Sequence, residues 1–282
     1  MLAKTYTAAV NGLETTTVTV EVNLTRGMQF HMTGLPDAVV KESYDRIRAA
    51  TTNSGFNWVV QELTINLSPA DLKKEGSGFD LPMAIGILAA DGKIAIGRLG
   101  DYMMVGELGL DGRIKPVRAV LPIAIRARKE KFKGLIVPKE NIREAAIVNN
   151  LDVYGMESLA DVVTFLNGQG SYEPMVVDTR KEFYEQQYSF DLDFSDVKGQ
   201  EGVKRALEIA SAGSHNIILI GPPGSGKSMM AKRIPSILPP LSLAESLETT
   251  QIHSVAGKIG CNVSLISQRP FRSPHHTISQ ES

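Results

Sequence analysis

Cysteine is nearly absent from this chain, which has Cys261 as its single thiol. One thiol cannot form a disulfide within the chain, so disulfide-stabilised secreted folds are excluded and a reducing compartment fits. Long apolar runs are also missing, because no stretch approaches the roughly 18 apolar residues that a membrane-spanning helix needs. The first residues lack a basic start followed by an apolar stretch. We therefore expect no signal peptide, no membrane partner and a cytoplasmic protein.

Neither sign of charge dominates the composition. The chain has 30 lysine and arginine residues against 31 aspartate and glutamate residues, and its formal net charge is −1. This balance argues against a chain-wide basic field for nucleic acid, but it does not exclude local basic patches. Hydrophobic residues make up 43% of the sequence, enough for the cores of ordinary globular domains, and the length of 282 residues suggests two of them.

A glycine-rich segment carries the clearest chemical signal. Residues 221–228 read Gly-Pro-Pro-Gly-Ser-Gly-Lys-Ser and match the phosphate-binding pattern GxxxxGK[ST] in full. The glycines let backbone N–H groups close around phosphate oxygens, Lys227 brings a positive charge to the outer phosphates, and Ser228 offers a hydroxyl to Mg²⁺. The pattern predicts a site for ATP or GTP with Mg²⁺. A glycine-rich turn without a ligand is the alternative.

The segments on either side of this loop fit the same interpretation. Residues 215–220 are apolar and β-branched, which predicts a buried strand before the loop. Residues 229–234 predict a helix after the loop, whose N-terminal dipole favours phosphate. We expect phosphate contacts, with Mg²⁺ at the last residue, from Gly221, Gly224, Ser225, Gly226, Lys227 and Ser228.

The chain divides by pattern into two parts joined by a linker. Residues 1–167 mix strand and helix patterns irregularly, which indicates an α+β or α/β fold. Residues 168–189 have few periodic apolar residues and predict an interdomain linker, and residues 190–282 contain the glycine-rich loop. Further strands are predicted over residues 1–33, 62–67, 102–110, 134–138, 151–154 and 263–266, and helices over 37–54, 81–90, 117–131, 141–148, 158–166, 196–212 and 241–255.

The second part contains five further motifs, at residues 194–200, 199–210, 238–242, 252–257 and 269–276. Together with the loop, they resemble the magnesium-chelatase-like branch of the AAA+ ATPases, and specifically the ComM family, also called YifB. The resemblance implies an α/β P-loop NTPase (AAA+) domain, incomplete, over residues 190–282. It also implies that Val197 and Gly199 lie near the adenine of ATP.

The first part has motifs of a different family. Residues 70–85 resemble the nucleophile segment of Lon-type peptidase domains, and residues 105–116 resemble their second signature strand pair. This resemblance implies the α+β fold of ribosomal protein S5 domain 2 over residues 1–167.

The same resemblance argues against peptidase activity. Lon-type peptidases use a serine nucleophile activated by a lysine base. In the register of the two motifs, Gly78 stands at the nucleophile position and Leu121 at the base position, and neither side chain can do this chemistry. We therefore expect a scaffold without a peptidase dyad. A non-standard dyad of Ser77 with Lys73 or Lys74 is the alternative.

ATP hydrolysis by an AAA+ protein needs a second acidic motif, in which an apolar strand ends in Asp-Glu and positions Mg²⁺ and water. After Ser228 the acidic residues are Glu245, Glu248 and Glu281, and none of them ends an apolar strand pattern. The chain stops just past residues 269–276, short of the end of a family ATPase domain, so we expect a fragment. We expect this chain to bind nucleotide and to hydrolyse ATP at or near background.

By resemblance, the intact protein is an ATP-driven hexameric ring motor that acts on DNA and promotes branch migration during natural transformation. Three other functions stay open: a non-catalytic interaction module, an ATP-dependent Lon-like peptidase, and a chelatase-type subunit.

Two smaller features complete the sequence. Residues 125–133 carry five basic side chains and one acidic one around Phe132. They predict either a patch for the DNA backbone or the solvated end of a helix, where cations favour the carbonyl pole. The adjacent residues His275 and His276 suit a single metal ion poorly, so we expect a loop or subunit contact there.

Overall fold

The computed structural model divides the chain into two units. The first combines residues 1–178 with 250–264, and the second combines residues 179–249 with 265–282. The residues that the structure describes are 1–187, 190, 192–260 and 265–273.

Some sequence predictions concern positions outside the described residues. They are those for Cys261, His275, His276 and Glu281, together with the first half of the strand expected at residues 263–266. In the described part of the chain, no helix is both long and apolar enough to cross a membrane.

The first unit is a mixed α/β structure. Its strands are β1 (Leu2–Asn11), β2 (Glu14–Thr25), β3 (Phe30–Thr33), β4 (Glu62–Ser68), β5 (Tyr102–Met104), β6 (Glu107–Leu108), β7 (Ile114–Lys115), β8 (Gly134–Pro138) and β9 (Asp152–Met156). Its helices are α1 (Ala38–Asn53), α2 (Asp80–Ala90), α3 (Val120–Lys129), α4 (Ile142–Ala146) and α5 (Leu159–Leu166). Among the described residues, one sheet has the order β3-β4-β2-β1-β5-β8-β9, and β6 forms a hairpin with β7. Most neighbouring pairs in the large sheet are parallel.

Strand β2 shows how alternation in the sequence separates buried from exposed faces. Val18, Val20, Val22 and Leu24 are buried, and the residues between them are partly exposed. Successive side chains of a strand point to opposite faces, and β-branched residues pack well on a half-buried pleated surface. The alternating pattern predicted this strand, and the structure confirms it.

Helix α2 is the apolar centre of the first unit, and every one of its residues is buried. A helix that is apolar on all sides is stable only when other elements cover it completely. Gly86 permits the close approach to the sheet, because a Cβ atom there would lie 2.6 Å from Val22 Cγ2. The Thr5 hydroxyl donates to the Pro82 carbonyl at 2.8 Å, which satisfies a buried acceptor in the first turn.

A buried ion pair fixes the start of α2. Asp80 is fully buried and receives two hydrogen bonds from the Arg46 guanidinium of α1, at 2.8 and 2.9 Å, and one from the Leu108 amide at 3.2 Å. Burial raises the pKa of the Asp80 carboxyl, while Arg46 and the Leu108 amide oppose that rise. The carboxylate thus ties α1, α2 and β6 together.

The parallel strands β5, β8 and β9 begin in register, with Tyr102, Gly134 and Asp152 side by side. Because parallel strands run the same way, their amino ends share one edge of the sheet and their carboxyl ends share the other. The predicted strand over residues 102–110 is interrupted between β5 and β6, where the chain leaves the carboxyl edge.

The second unit is built around short helices. They are α6 (Thr179–Gln186), α7 (Glu201–Ala212), α8 (Lys227–Ala231) and α9 (Leu243–Val255), of which the last also continues into residues assigned to the first unit. Phe194, Val197, Leu207 and Met230 form its small apolar cluster, to which α7 contributes Leu207.

Some predictions for the second unit were wrong. Residues 215–220 form no strand, and Ile218 and Ile220 are 79% and 88% exposed. An apolar run becomes a buried strand only when neighbouring strands pair with it, and the described residues of the second unit provide none. Leu265 and Ile266 are likewise outside any strand. Helix α6 lies inside the segment that we read as linker, and α7 starts later than predicted because Gln200 before it is left-handed.

The ion pair at the start of α2 gives a stability prediction. Arg46→Met leaves the Asp80 carboxylate buried without its counter-charge, so the free energy of unfolding of the first unit should fall by about 3 kcal/mol. Arg48→Met is the matched control, because Arg48 is exposed on the same helix, and it should change that energy by less than about 0.5 kcal/mol.

The measurement is urea unfolding followed by the fluorescence of Trp58, the only tryptophan, which packs against Tyr44 in this unit. Equal effects of the two substitutions would show that the buried pair does not stabilise the unit.

Candidate functional site

The glycine-rich loop at residues 221–228 leads directly into helix α8. Gly224 and Gly226 have φ values of +79° and +84°, in the left-handed region that residues with a Cβ atom rarely adopt. Gly226 is the residue that caps the start of α8. The helix predicted over residues 229–234 is confirmed only in part, because α8 begins at Lys227 and ends at Ala231.

Several polar groups of the loop have no partner within the described part of the chain. The amides of Gly226, Lys227 and Ser228 donate to no acceptor there, and the exposed Ser228 hydroxyl also makes no hydrogen bond. Unpaired donors of this kind are what phosphate oxygens accept from, and a serine hydroxyl is a ligand that Mg²⁺ takes alongside phosphates. The loop therefore fits a Mg²⁺–nucleoside triphosphate.

The Lys227 side chain folds back over its own loop. Its ammonium group donates to the carbonyls of Gly221 and Pro222 at 2.8 and 2.7 Å, and to the Ser225 hydroxyl at 3.2 Å. These bonds use all three donors of the lysine and hold its charge beside the loop. A phosphate group, which carries full negative charge, forms stronger hydrogen bonds with this ammonium than neutral carbonyls do.

Helix α8, which follows the loop, is held in place by the packing of Met230 and by the hydrogen bonds of Arg233. Met230 of α8 is buried in the apolar cluster of the second unit. Arg233 follows α8 and donates to the Asp193 carbonyl at 3.0 Å and to the Asp196 carboxylate at 3.2 Å. These contacts connect the end of α8 to the turn that precedes α7.

The two residues assigned to adenine have different surroundings. Val197 is 3% exposed and belongs to the apolar cluster, whereas Gly199 is exposed in a turn with φ +67° just before α7. The structure thus brings Val197 close to Met230 of α8 but presents only Gly199 to solvent.

Glu245, the first acidic residue after the loop, has structural partners. Glu245 accepts hydrogen bonds from the Ser242 amide at 2.8 Å and from its hydroxyl at 2.9 Å, and these bonds lower the pKa of Glu245. Arg269 lies 3.7 Å from the same carboxylate. Glu245 is therefore a cap at the start of α9. No group of three histidine, cysteine, aspartate or glutamate residues that could hold a metal occurs among the described positions.

A cavity of about 350 Å³ lies at the carboxyl edge of the first unit, and it contains the Lon-like nucleophile position. Gly78 lines it, but the neighbouring Ser77 hydroxyl is hydrogen-bonded to the Glu107 carboxylate. The Ser77 hydroxyl is therefore bound to a carboxylate and not to a lysine, the base that Lon-type peptidases use.

The candidate lysine bases have other partners. The fully buried Lys74 ammonium donates to the Pro69 carbonyl, and burial lowers the pKa of Lys74. Lys73 is exposed and pairs with Glu75 at 2.6 Å. The alternative dyad with Ser77 is therefore not assembled.

Sequence reasoning missed two carboxylates near this cavity. Glu107 binds Ser77, and Glu144 accepts from the Leu121 amide at 3.1 Å and from the Ser254 hydroxyl. Leu121, at the base position, is thus a buried core residue whose backbone is held by Glu144. A glutamate inside the apolar run of residues 102–110 was a signal for the first of these carboxylates, but nothing local pointed to the second.

The chain is similar to known protein families over most of its length. Residues 20–141 match the family model for subunit ChlI of Mg-chelatase, and residues 193–282 match the model for magnesium chelatase, subunit ChlI. It is 42% identical to competence protein ComM of Haemophilus influenzae over 283 residues, which cover 99% of this chain and 54% of that protein. It is 41% identical to the uncharacterized protein YifB of Escherichia coli over 280 residues, covering 99% and 54%.

The similarity to peptidases is confined to part of the chain. Lon protease 2 of Bacillus subtilis is 30% identical over 128 residues, which cover 45% of this chain and 22% of that protein. The chain spans about half the length of the ComM and YifB relatives that it matches.

The left-handed glycine before α8 gives a local prediction. Gly226→Ala forces a Cβ atom into the left-handed region, at a cost of about 1–2 kcal/mol, so the loop and α8 should open more often. Gly202→Ala is the control, because Gly202 lies in α7 with open space around its Cβ position and a helical backbone. Amide hydrogen exchange over residues 226–234 should speed up in the first variant alone. Unchanged exchange in both variants would contradict the strain argument.

The partners of Ser77 predict that the chain has no peptidase activity. Purified chain should leave unfolded casein intact, with or without Mg·ATP, because the hydroxyl is bound to the Glu107 carboxylate rather than to a lysine base. The assay is release of labelled peptides, with Ser77→Ala as the matched variant. Casein degradation that disappears in Ser77→Ala would overturn the assignment of a scaffold.

Proposed function

Because this chain belongs to the ComM/YifB family of magnesium-chelatase-like proteins, we propose that it binds Mg·ATP through residues 221–228 and serves an ATP-driven motor that acts on DNA. The proposal assigns an S5-domain-2-like, Lon-related scaffold to residues 1–167, a linker to residues 168–189, and an AAA+ nucleotide-binding domain to residues 190–282. The intact motor is proposed to be a hexameric ring that promotes branch migration in natural transformation, which implies work in the cytoplasm.

One observation carries the nucleotide proposal. The loop combines unpaired amides at Gly226, Lys227 and Ser228 with an ammonium group held only by neutral oxygens. Both features favour an anion with several oxygens, and the loop pattern itself is that of a triphosphate site.

Each residue of the loop has a role in this proposal. The amides of Gly221, Gly224, Ser225 and Gly226 bind phosphate oxygens together with the unpaired amides of Lys227 and Ser228. The Lys227 ammonium exchanges its carbonyl partners for the outer phosphates. Ser228 holds Mg²⁺, which neutralises phosphate charge when it is bound. Gly199 lies against the adenine, with Val197 supporting that turn from the apolar cluster.

We propose that the chain binds nucleotide without turning it over efficiently. The acids that follow Ser228 in the sequence do not end an apolar strand, and Glu245 is occupied as a helix cap. Without a carboxylate to orient water, hydrolysis lacks the group that positions the nucleophile.

The Lon-like half is proposed to act as a non-catalytic interaction module within the motor. Gly78 lines its cavity where Lon-type chemistry would need a serine, and the buried Leu121 stands where it would need a lysine. The same missing groups disfavour a peptidase. A chelatase-type subunit agrees with the two ChlI family models, but it does not account for the Lon-like similarity over 45% of the chain.

The loop lysine gives the direct test of nucleotide binding. Lys227→Ala removes the charge from the phosphate site, so the affinity for a non-hydrolysable Mg·ATP analogue should fall about tenfold or more. Lys232→Ala is the control, because this exposed lysine lies five positions further along the same segment, and it should bind like the unaltered chain. The measurement is calorimetric titration.

Phosphate release from Mg·ATP, followed on the same samples, should stay near background. Equal affinity in the two variants would contradict the assignment of the loop, and robust release that is lost in Lys227→Ala would contradict the absence of turnover.

A further inference from the structure

A groove lies at the amino edge of the parallel strands in the first unit, opposite the edge that holds the Lon-like cavity. It consists of two cavities of about 290 and 540 Å³, and Lys133 lines both of them. The register of Tyr102, Gly134 and Asp152 explains the placement, because Lys133 directly precedes β8 between the starts of β5 and β9. We name the two cavities together the amino-edge groove.

The amino-edge groove is positively charged. Arg98, Arg128, Lys131 and Lys133 line it, and none of these side chains has a carboxylate partner within the described part of the chain. Among the described lining residues, Asp152 is the acidic one. The remaining acid of the basic run, Glu130, is paired with Arg126 outside the groove. The solvated-helix-end reading of residues 125–133 accounts for Arg126 and Glu130 but not for Lys131 and Lys133, which lie beyond α3.

Aromatic rings form one half of the groove. Phe165 is buried between the half-buried rings of Tyr154 and Tyr172, with centroid distances of 4.6 and 5.7 Å. The Arg98 guanidinium lies 5.2 Å from the Phe165 centroid, and it donates to the Phe165 carbonyl and the Tyr102 hydroxyl. Arg98 is therefore held in place beside the rings. This half of the groove offers flat apolar faces next to a fixed cation.

The other half of the groove is lined by a row of positively charged side chains. Arg128, Lys131 and Lys133 are exposed, and Phe132 between them packs its ring 5.4 Å from that of Tyr6. The anchored Phe132 ring fixes the backbone, so that the lysines before and after it project from a defined position. A single small anion would need only one of these cations, whereas a polymer with repeated phosphates contacts several.

We propose that the amino-edge groove binds single-stranded DNA, with phosphates on Arg128, Lys131 and Lys133 and a base stacked on Tyr154 or Tyr172. Aromatic faces beside a basic path are the combination that single strands use, because their bases are free to stack. Duplex bases are stacked on each other and cannot reach such faces. The choice of DNA as the polymer rests on the proposed function.

Charge reversal tests the basic half. Fluorescence anisotropy measures binding of the full chain to a labelled oligothymidine of about 20 nucleotides. Lys131→Glu/Lys133→Glu should weaken binding about tenfold or more and lower the salt slope of log K by about 1.4, since each phosphate contact on a single strand contributes about 0.7. Lys41→Glu/Arg48→Glu on α1 is the matched control, with the same charge change at exposed, unpaired positions, and it should bind like the unaltered chain.

A conservative pair tests the aromatic half. Tyr154→Leu should weaken oligothymidine binding about tenfold, while Tyr154→Phe, which keeps the ring, should not. The fluorescence of Trp58 checks that each variant remains folded. A poly-glutamate peptide of equal charge is the competitor. If it binds tightly and displaces oligothymidine, the proposal is overturned and the groove is a site for an acidic protein.

The outcomes separate this proposal from the proposed function. If the charge reversals at Lys131 and Lys133 leave oligothymidine binding unchanged, the groove is not the DNA site. The proposed action on DNA would still hold in that case. No oligothymidine binding by the unaltered chain, under conditions where it binds the Mg·ATP analogue, would contradict both the groove and the action of this chain on DNA.

Discussion

Complete burial of helix α2 is the constraint on which the first unit depends. A helix with no solvent-facing side needs strands on one side, another helix on the other, and a neutralised charge at its start. Gly86 against Val22 supplies the close approach to the sheet, and Arg46 supplies the counter-charge to Asp80. The loop of Ser77 and Gly78 that enters α2 is fixed by the same arrangement.

Different cavities lie at the two edges of this sheet. The carboxyl edge holds a cavity lined by Gly78, the Lon-like nucleophile position. The neighbouring Ser77 is bound to Glu107, and Lys74 is bound to a carbonyl. The amino edge holds the charged and aromatic groove around Lys133.

The second unit is stabilised differently from the first, because its apolar cluster is small. Four buried side chains, Phe194, Val197, Leu207 and Met230, support α7 and α8. The conformation of the glycine-rich loop therefore depends on local features: left-handed glycines, the Lys227 bonds to its own carbonyls, and the Arg233 clamp. Such a loop is ready for phosphate because its amides are unpaired before any ligand arrives.

The sequence predicted the features that depend only on residues adjacent to one another in the chain. Alternation in β2, the apolar run of α2 and the pattern of residues 221–228 are local, and the structure bears out the strand and the helix. The buried strand at residues 215–220 was predicted wrongly, because burial of a strand depends on partners elsewhere. Strand register and packing decide which residues Glu107 and Glu144 contact, and they place Lys133 in both cavities of the amino-edge groove. No single segment of the sequence contains that information.

The central claim is that residues 221–228 form a triphosphate site in this chain. Amide hydrogen exchange with and without a non-hydrolysable Mg·ATP analogue tests it most directly, because the unpaired amides of Gly226, Lys227 and Ser228 are the proposed ligands. We predict slower exchange concentrated in residues 221–230, with little change in the first unit. Unchanged exchange in this loop at saturating analogue would contradict the account.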